Sequence, residues 1–231
     1  MNSSPRRSSP LAAVLSDHGS AVLHGQPVAV TGPSAAEADP AALTICDASV
    51  FPRFQVSGPG AGAWLEQQGV ALPDALFGWT PQDPDGICLR TGRNEYLIED
   101  GPAGSRVGML ARQLGAGRDG VYGLSRQDAQ ILLRGAQVSE VLAQVCGVDF
   151  REPDERLVFT RLAGVSAVVL PPQPEQPWFR MWVDATHAVY LWQTLLQIVQ
   201  EMGGDVSHLA SFFPTCSDLS QSPAQAEEHP Q

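Results

Sequence analysis

Residues 125–142 read SRQDAQILLRGAQVSEVL, and residues 49–65 read SVFPRFQVSGPGAGAWL. In the first stretch Ala129 to Leu133 predicts a strand, Gly135 a turn, and Val138 to Cys146 a helix. In the second, Arg53 to Ser57 alternates as a half-buried strand does and runs into the turn Gly58-Pro59-Gly60. Ala61 to Gln68 then predicts a short helix with Gly69 just past its end. With one residue of slippage the two stretches share a plan: a serine, a strand, a glycine, and a helix. Leu65 and Leu142 each lie seven residues past their glycine. Glycine lets the chain turn from strand to helix without a Cβ clash, and the leucine can fold back on the strand just left. Repetition of this unit predicts an α+β fold of two related subdomains, each an antiparallel sheet with packed helices.

Other segments fill out the two halves. Ile87 to Arg90 and Asn94 to Glu99 predict a hairpin around Thr91-Gly92. Val107 to Leu114 predicts a helix with Val107, Leu110, Ala111 and Leu114 on one face, stopped by Gly115. Arg156 to Leu162 and Gly164 to Leu170 predict two strands. Trp178 to Val183 predicts another, with Phe179, Met181 and Val183 on one side. The strongest pattern is Ala185 to Met202. There Ala188, Leu191, Trp192, Leu195, Val199 and Met202 recur at helical spacing, with Asp184 or Thr186 as the cap and Gly203-Gly204 as the stop. The expected division is an arm at 1–9, subdomains at 10–118 and 119–204, and an acidic, mostly disordered tail at 205–231. TGPSAAEADPAA at 31–42 reads as a loop. PPQPEQP at 171–177, with four prolines in seven positions, must be a non-helical connection.

Composition narrows the function. The 231 residues are 43% hydrophobic and 17% charged, ordinary for a globular chain. The net charge is −11, and all 14 basic residues are arginine. That balance argues against a nucleic-acid binder or a ligand of anionic membranes. Two arginines precede the run LAAVL, but Ser16, Asp17 and His18 break it too early for a signal peptide. Cys46, Cys88, Cys146 and Cys216 are widely spaced and form no zinc motif or disulfide framework, so free buried thiols in a reducing cytosol are expected.

Four segments, in order, resemble one family. CDASVFPRFQVSGPGAGAWL (46–65) resembles the opening of the aminomethyltransferase, or glycine-cleavage T-protein, superfamily. TGRNEYLIE (91–99), VYGLSRQDAQILLRGAQVSEVLAQVCGVDF (121–150) and WVDATHAVYLWQTLLQIVQEMGG (182–204) resemble segments of the gamma subunits of heterotetrameric sarcosine oxidases. The resemblance spans about residues 10–204. The chain departs from the pattern at His187, where Phe is usual, and at Val148-Asp149-Phe150.

The resemblance implies an aminomethyltransferase-like, folate-binding type of fold without the third domain, and a non-catalytic accessory subunit. The complex it implies oxidatively demethylates sarcosine or a related N-methyl amine to glycine and hydrogen peroxide, and passes a one-carbon unit to tetrahydrofolate. FAD, FMN, NAD and tetrahydrofolate are then expected on partner alpha, beta and delta subunits, with alpha in direct contact, in the cytoplasm. The rival reading is a free-standing folate-binding or one-carbon-transfer protein of the same superfamily. A third is an unrelated interaction module.

The residues themselves suggest no chemistry, and no catalytic, cofactor-binding or metal residue is expected on this chain. GPGAGAW (58–64) has glycines after a strand but lacks the third glycine of a dinucleotide fingerprint, and Trp64 and Leu65 stand where a small residue is wanted. His187 has Tyr190 and Leu191 where a helical partner ligand would stand. Cys46 (next to Asp47) and Cys146 lack an adjacent base. Ser125-Arg126-Gln127-Asp128-Ala129 does not reproduce the family's folate-contacting Asp segment. Of the five tryptophans, Trp64, Trp79, Trp178, Trp182 and Trp192, some must be core, and Trp178 is the candidate anchor for a subunit interface.

Overall fold

A computed structural model describes residues 8–15, 19–24, 26–31, 39, 41–115, 117–152 and 155–216. A short hairpin, β1 (Gly19–Leu23) and β2 (Gln26–Thr31), precedes two larger sheets. The first half contributes β3 (Thr44–Asp47), β4 (Arg53–Ser57), α1 (Ala61–Gln67), β5 (Trp79–Gln82), β6 (Gly86–Gly92), β7 (Glu95–Glu99) and α2 (Arg106–Leu114). The second contributes β8 (Tyr122–Arg126), β9 (Ala129–Arg134), α3 (Val138–Val145), β10 (Val158–Leu162), β11 (Val165–Leu170), β12 (Phe179–Val183) and α4 (Ala188–Glu201). The chain closes with β13 (Asp205–Val206) and α5 (Leu209–Phe212).

The repeat is real in three dimensions. One sheet runs β5-β6-β7-β4-β8, the other β10-β11-β12-β9-β3-β13. Strand for strand, β4 to β7 match β9 to β12. Gly58 and Gly135 both hold left-handed backbone, at φ 110° and 124°. Leu65 and Leu142 are both fully buried. The leading strands are exchanged between the halves: β3 pairs with β9, and β8 pairs with β4. The boundary expected at 118/119 therefore does not separate the sheets. Each half completes the other's sheet, which makes them one interlocked body.

Helices cover one face of each sheet. On the first, Trp64, Leu65, Val107, Leu110 and Leu114 pack with Phe54, Val56, Cys88 and Ile98. Gly123 of β8 belongs to this side, since a Cβ there would lie 2.3 Å from the Phe54 ring. On the second, α4 buries Ala188, Leu191, Trp192, Leu195 and Val199 against Ile131, Leu133, Met181 and Val183, each large side chain contributing about 1.5–3 kcal/mol. A 3₁₀ turn, Ala185–His187, precedes α4, and Asp184 caps it by accepting from the Thr186 amide at 2.9 Å.

Several expectations need correction. The β6–β7 hairpin turns at Arg93-Asn94, past Thr91-Gly92, because Gly92 still pairs with Glu95 across an irregularity in the register. Residues 205–216 are not a disordered tail: β13 runs parallel to β3, and Leu209, Phe212, Phe213 and Cys216 are buried. Leu209, Phe212, Phe213 and Cys216 do follow helical spacing, but in a run broken by Pro214 and too short to stand out from the polar residues around it. The arm expected at 1–9 is anchored at its end, where Ser9 donates to Asp47 at 2.5 Å; residues 1–7 lie outside the described residues, as do 217–231 and most of the loop at 31–42. Among the described residues no helix is long and apolar enough to cross a membrane.

Candidate functional site

The two sheets meet through the faces that carry no helices, and their contact is centred on a carboxylate. Arg53 of β4 pairs across the strands with Glu99 of β7, and Gln130 of β9 pairs with Trp182 of β12. These four residues are two pairs of counterparts: Arg53 matches Gln130, and Glu99 matches Trp182. All four sit at the sheet–sheet contact, exposed by at most 4%. Glu99 Oε2 accepts from Arg53 Nε at 2.5 Å and Trp182 Nε1 at 2.8 Å. Its Oε1 accepts from Gln130 Nε2 at 2.9 Å and Arg180 Nη1 at 3.0 Å. One carboxylate thus faces two guanidinium groups. Arg53 uses its remaining donors on the carbonyls of Asp128 (2.8 Å) and Ala48 (3.2 Å) and on Gln130 Oε1 (3.2 Å). Arg180 donates to Gln176 Oε1 at 2.6 Å. Burial holds the Arg180 guanidinium below its ordinary range, and Glu99 opposes that shift. A charge cluster this dry persists only because nearly every donor is matched.

Beside this network the facing sheets border an open cavity of about 660 Å³. Gln55, Leu97, Glu95 and Arg126 line it from the first sheet, and Phe159, Arg161, Ser166 and Trp182 from the second. Arg126 is tied to Asp128 through both carboxylate oxygens, at 3.0 and 2.7 Å. That bond raises the Arg126 pKa. Gln55 accepts from Arg126 at 2.7 Å. The Asp128 carboxylate is therefore already matched by a cation, and it offers an incoming ligand less than a free acid would.

Residues weighed as sites in the sequence are scattered. Gly58 to Trp64 forms the turn into α1, and Trp64 and Leu65 pack into the core. His187 is exposed beside Thr186. Cys46, Cys88 and Cys216 are buried, and Cys146 is half-buried against Thr160. Burial pushes the Cys88 and Cys216 thiols up to about 12 and Cys46 well above the ordinary range, away from nucleophilic thiolate. Trp178 is no exposed anchor. It packs edge-on against Phe212 and Phe213, both at 5.5 Å, because the segment expected to be tail covers it. Among the described residues no group of three or more His, Cys, Asp or Glu could hold a metal ion. The network at Arg53, Glu99, Gln130 and Arg180 was not foreseen. The signal was present in WFRMWV, where the face opposite Met181 carries an arginine and a tryptophan.

No family model matches the chain, and no curated protein matches it. Solved structures do. One chain of the heterotetrameric sarcosine oxidase from Corynebacterium sp. U-96, in complex with pyrrole 2-carboxylate, superposes with a TM-score of 0.63 at 19% identity, over 85% of this chain and 96% of that one. The glycine cleavage system aminomethyltransferase T from Bartonella henselae gives a TM-score of 0.63 at 17% identity, over 89% of this chain and 60% of that one. The fold is aminomethyltransferase-like. It is the fold that the four sequence segments implied, and the paired sheets with exchanged leading strands are its substance here.

Proposed function

We propose that this chain is a gamma-type accessory subunit of a sarcosine-oxidase-like heterotetramer. Such a complex would demethylate sarcosine or a related N-methyl amine in the cytoplasm and hand a one-carbon unit to tetrahydrofolate. On this reading FAD, FMN, NAD and tetrahydrofolate are held by the alpha, beta and delta subunits, and this chain touches alpha. The observation that carries the reading is the fold match over 96% of a chain drawn from a heterotetrameric sarcosine oxidase. The site chemistry supports it. Glu99, Arg53 and Gln130 satisfy one another at the sheet–sheet contact, and burial raises the pKa of the Cys46, Cys88 and Cys216 thiols. Co-expression with the other three subunits tests it. A stable heterotetramer whose flavin resides on the other subunits is the expected result, and a chain that stays apart while the others assemble overturns the reading.

The cavity favours a second reading, a folate-binding or one-carbon-transfer protein that acts alone. A pocket of about 660 Å³ with Trp182, Arg126 and Gln55 on its walls has the size and mixed lining of a small-molecule site. Calorimetry of the isolated chain with tetrahydrofolate separates the two. Micromolar or tighter binding supports the second reading, and no heat of binding supports the first.

A further inference from the structure

The two halves differ in how their equivalent faces are covered. Cys46 of β3 pairs with Leu132 of β9, and Leu124 of β8 pairs with Gln55 of β4. In the repeat Leu124 is therefore the counterpart of Cys46, and Tyr122 of Thr44. Cys46 and Thr44 are exposed by 2% and 0%, whereas Leu124 and Tyr122 are exposed by 61% and 64%. The difference comes from the end of the chain. β13 pairs with the outer edge of β3, and Leu209, Phe212, Phe213 and Cys216 then cover Cys46 and Leu132. Thr215 closes this cover by donating to Asp85, between β5 and β6, at 2.9 Å.

Nothing among the described residues does the same for the first sheet. Among the described residues β8 is its edge strand, with no partner strand on the outer side. Gln55, Glu95 and Leu97, which lie on the equivalent face, line the cavity. So do Arg161 and Ser166 beside the β10–β11 turn, the counterpart of the turn that holds Asp85. The cavity occupies in the first half the place that residues 209–216 fill in the second.

We propose that the cavity and the free edge of β8 form a docking site for a segment of another subunit of the complex. The segment has an extended stretch that adds to β8, then a short apolar turn with an aromatic side chain that fills the cavity. The template is the chain's own β13–α5 segment. An unpaired edge beside exposed apolar side chains is the arrangement that strand addition uses. Charge adds a requirement. Glu95, Asp128 and Asp184 stand around the cavity against Arg126, already engaged by Asp128, and Arg161. In a chain of net charge −11, this surplus of carboxylates calls for a basic residue on the segment.

The proposal rests on the accessory-subunit reading, since the occupant comes from a partner subunit. The test is amide hydrogen exchange at residues 122–126 in the free chain and in the co-expressed complex, with Leu124→Glu and Tyr190→Glu as variants. Tyr190 is 53% exposed on α4 and serves as the control surface. The expected result is slowing of β8 exchange by about tenfold or more on assembly, and assembly weakened by about tenfold or more in Leu124→Glu alone. Assembly with unchanged β8 exchange and an unaffected Leu124→Glu variant overturns the docking site and leaves the accessory reading standing. No assembly at all overturns both. A free wild-type chain that dimerises in sedimentation, and that Leu124→Glu makes monomeric, overturns the proposal by making the occupant a second copy. Tetrahydrofolate slowing β8 exchange in the free chain overturns it in favour of a small-molecule site.

Discussion

Arg53 and Gln130 hold the same position in the two halves of the chain, 77 residues apart, and Arg53 donates to Gln130 at 3.2 Å. Repeated positions meet in this way only at the axis that relates the repeats. The Glu99 carboxylate lies there too, hydrogen-bonded to Arg53, Gln130, Arg180 and Trp182. This single carboxylate bonds two buried guanidinium groups.

Removing that acid leaves the cations uncompensated. Glu99→Gln keeps the shape and deletes the charge. It is expected to lower stability by about 3–5 kcal/mol, the usual cost of breaking a buried pair from one side. Urea unfolding of the isolated chain measures this. A double-mutant cycle with Arg53→Gln is expected to show strong coupling between the two sites. Additive losses would mean that the network contributes only packing.

The two turn glycines give a test of the repeat itself. A Cβ at Gly58 would sit 2.4 Å from the Gly120 carbonyl oxygen, and one at Gly135 would sit 2.6 Å from Leu43 Cα, both on left-handed backbone. Gly58→Ala and Gly135→Ala are each expected to cost about 1–3 kcal/mol or more. Gly69 also has positive φ but has open space around it. Gly69→Ala is expected to cost about 1 kcal/mol or less on left-handed backbone without a clash. Comparable losses at 58 and 135, with a smaller one at 69, is the pattern to look for in thermal unfolding.

Asp100 carries a pH dependence. It is 4% exposed, and its two oxygens accept from the Val107 amide near the start of α2 at 3.2 and 3.1 Å. Burial raises its pKa above 3.8, and the bond from Val107 only partly opposes this. A carboxyl whose pKa is raised by folding holds its proton more tightly in the fold. Its contribution is fully present below the unfolded value and is lost as pH rises through the folded value. The stability of wild type minus that of Asp100→Asn is therefore expected to be greatest at pH below 3.8 and to decline above it. A difference that grows with pH would show that the bonds to the charged form outweigh burial.

The strand–glycine–helix unit, α2 and α4 were legible because each is local. A period of two or 3.6 residues and a terminal glycine are enough to place them. The exchange of β3 and β8 was not legible, because a strand carries no mark of which sheet it joins. β8 was hidden as well, because its helix side carries only Gly123 and Ser125 while Tyr122 and Leu124 on its other side stand open, so no apolar alternation marks a buried face. The Glu99 network was hidden for a different reason. Arg53 and Arg180 alternate with apolar residues, as solvent-facing positions do, and only the packing of one sheet on the other buries them.

Leu124 and Phe213 together test the unequal covering of the two halves. Phe213 is 2% exposed, contacts Phe51 edge-on at 5.0 Å and lies under the Arg180 guanidinium at 5.3 Å. Phe213→Ala opens a cavity in the cover over Cys46 and Leu132, and is expected to cost the isolated chain about 3–5 kcal/mol. Leu124 occupies the repeat-related face but touches solvent. Leu124→Ala is therefore expected to change the stability of the isolated chain by no more than about 0.5 kcal/mol. In the assembled complex the order changes. Leu124→Ala then loses contacts made only with the partner, and it is expected to speed dissociation while leaving turnover per flavin unchanged in the complexes that remain. Unfolding midpoints of the free chain and dissociation rates of the complex measure the two effects separately. A Leu124→Ala chain that unfolds as readily as Phe213→Ala would show that the first sheet is already covered in the isolated molecule, and the asymmetry between the halves would have to be abandoned.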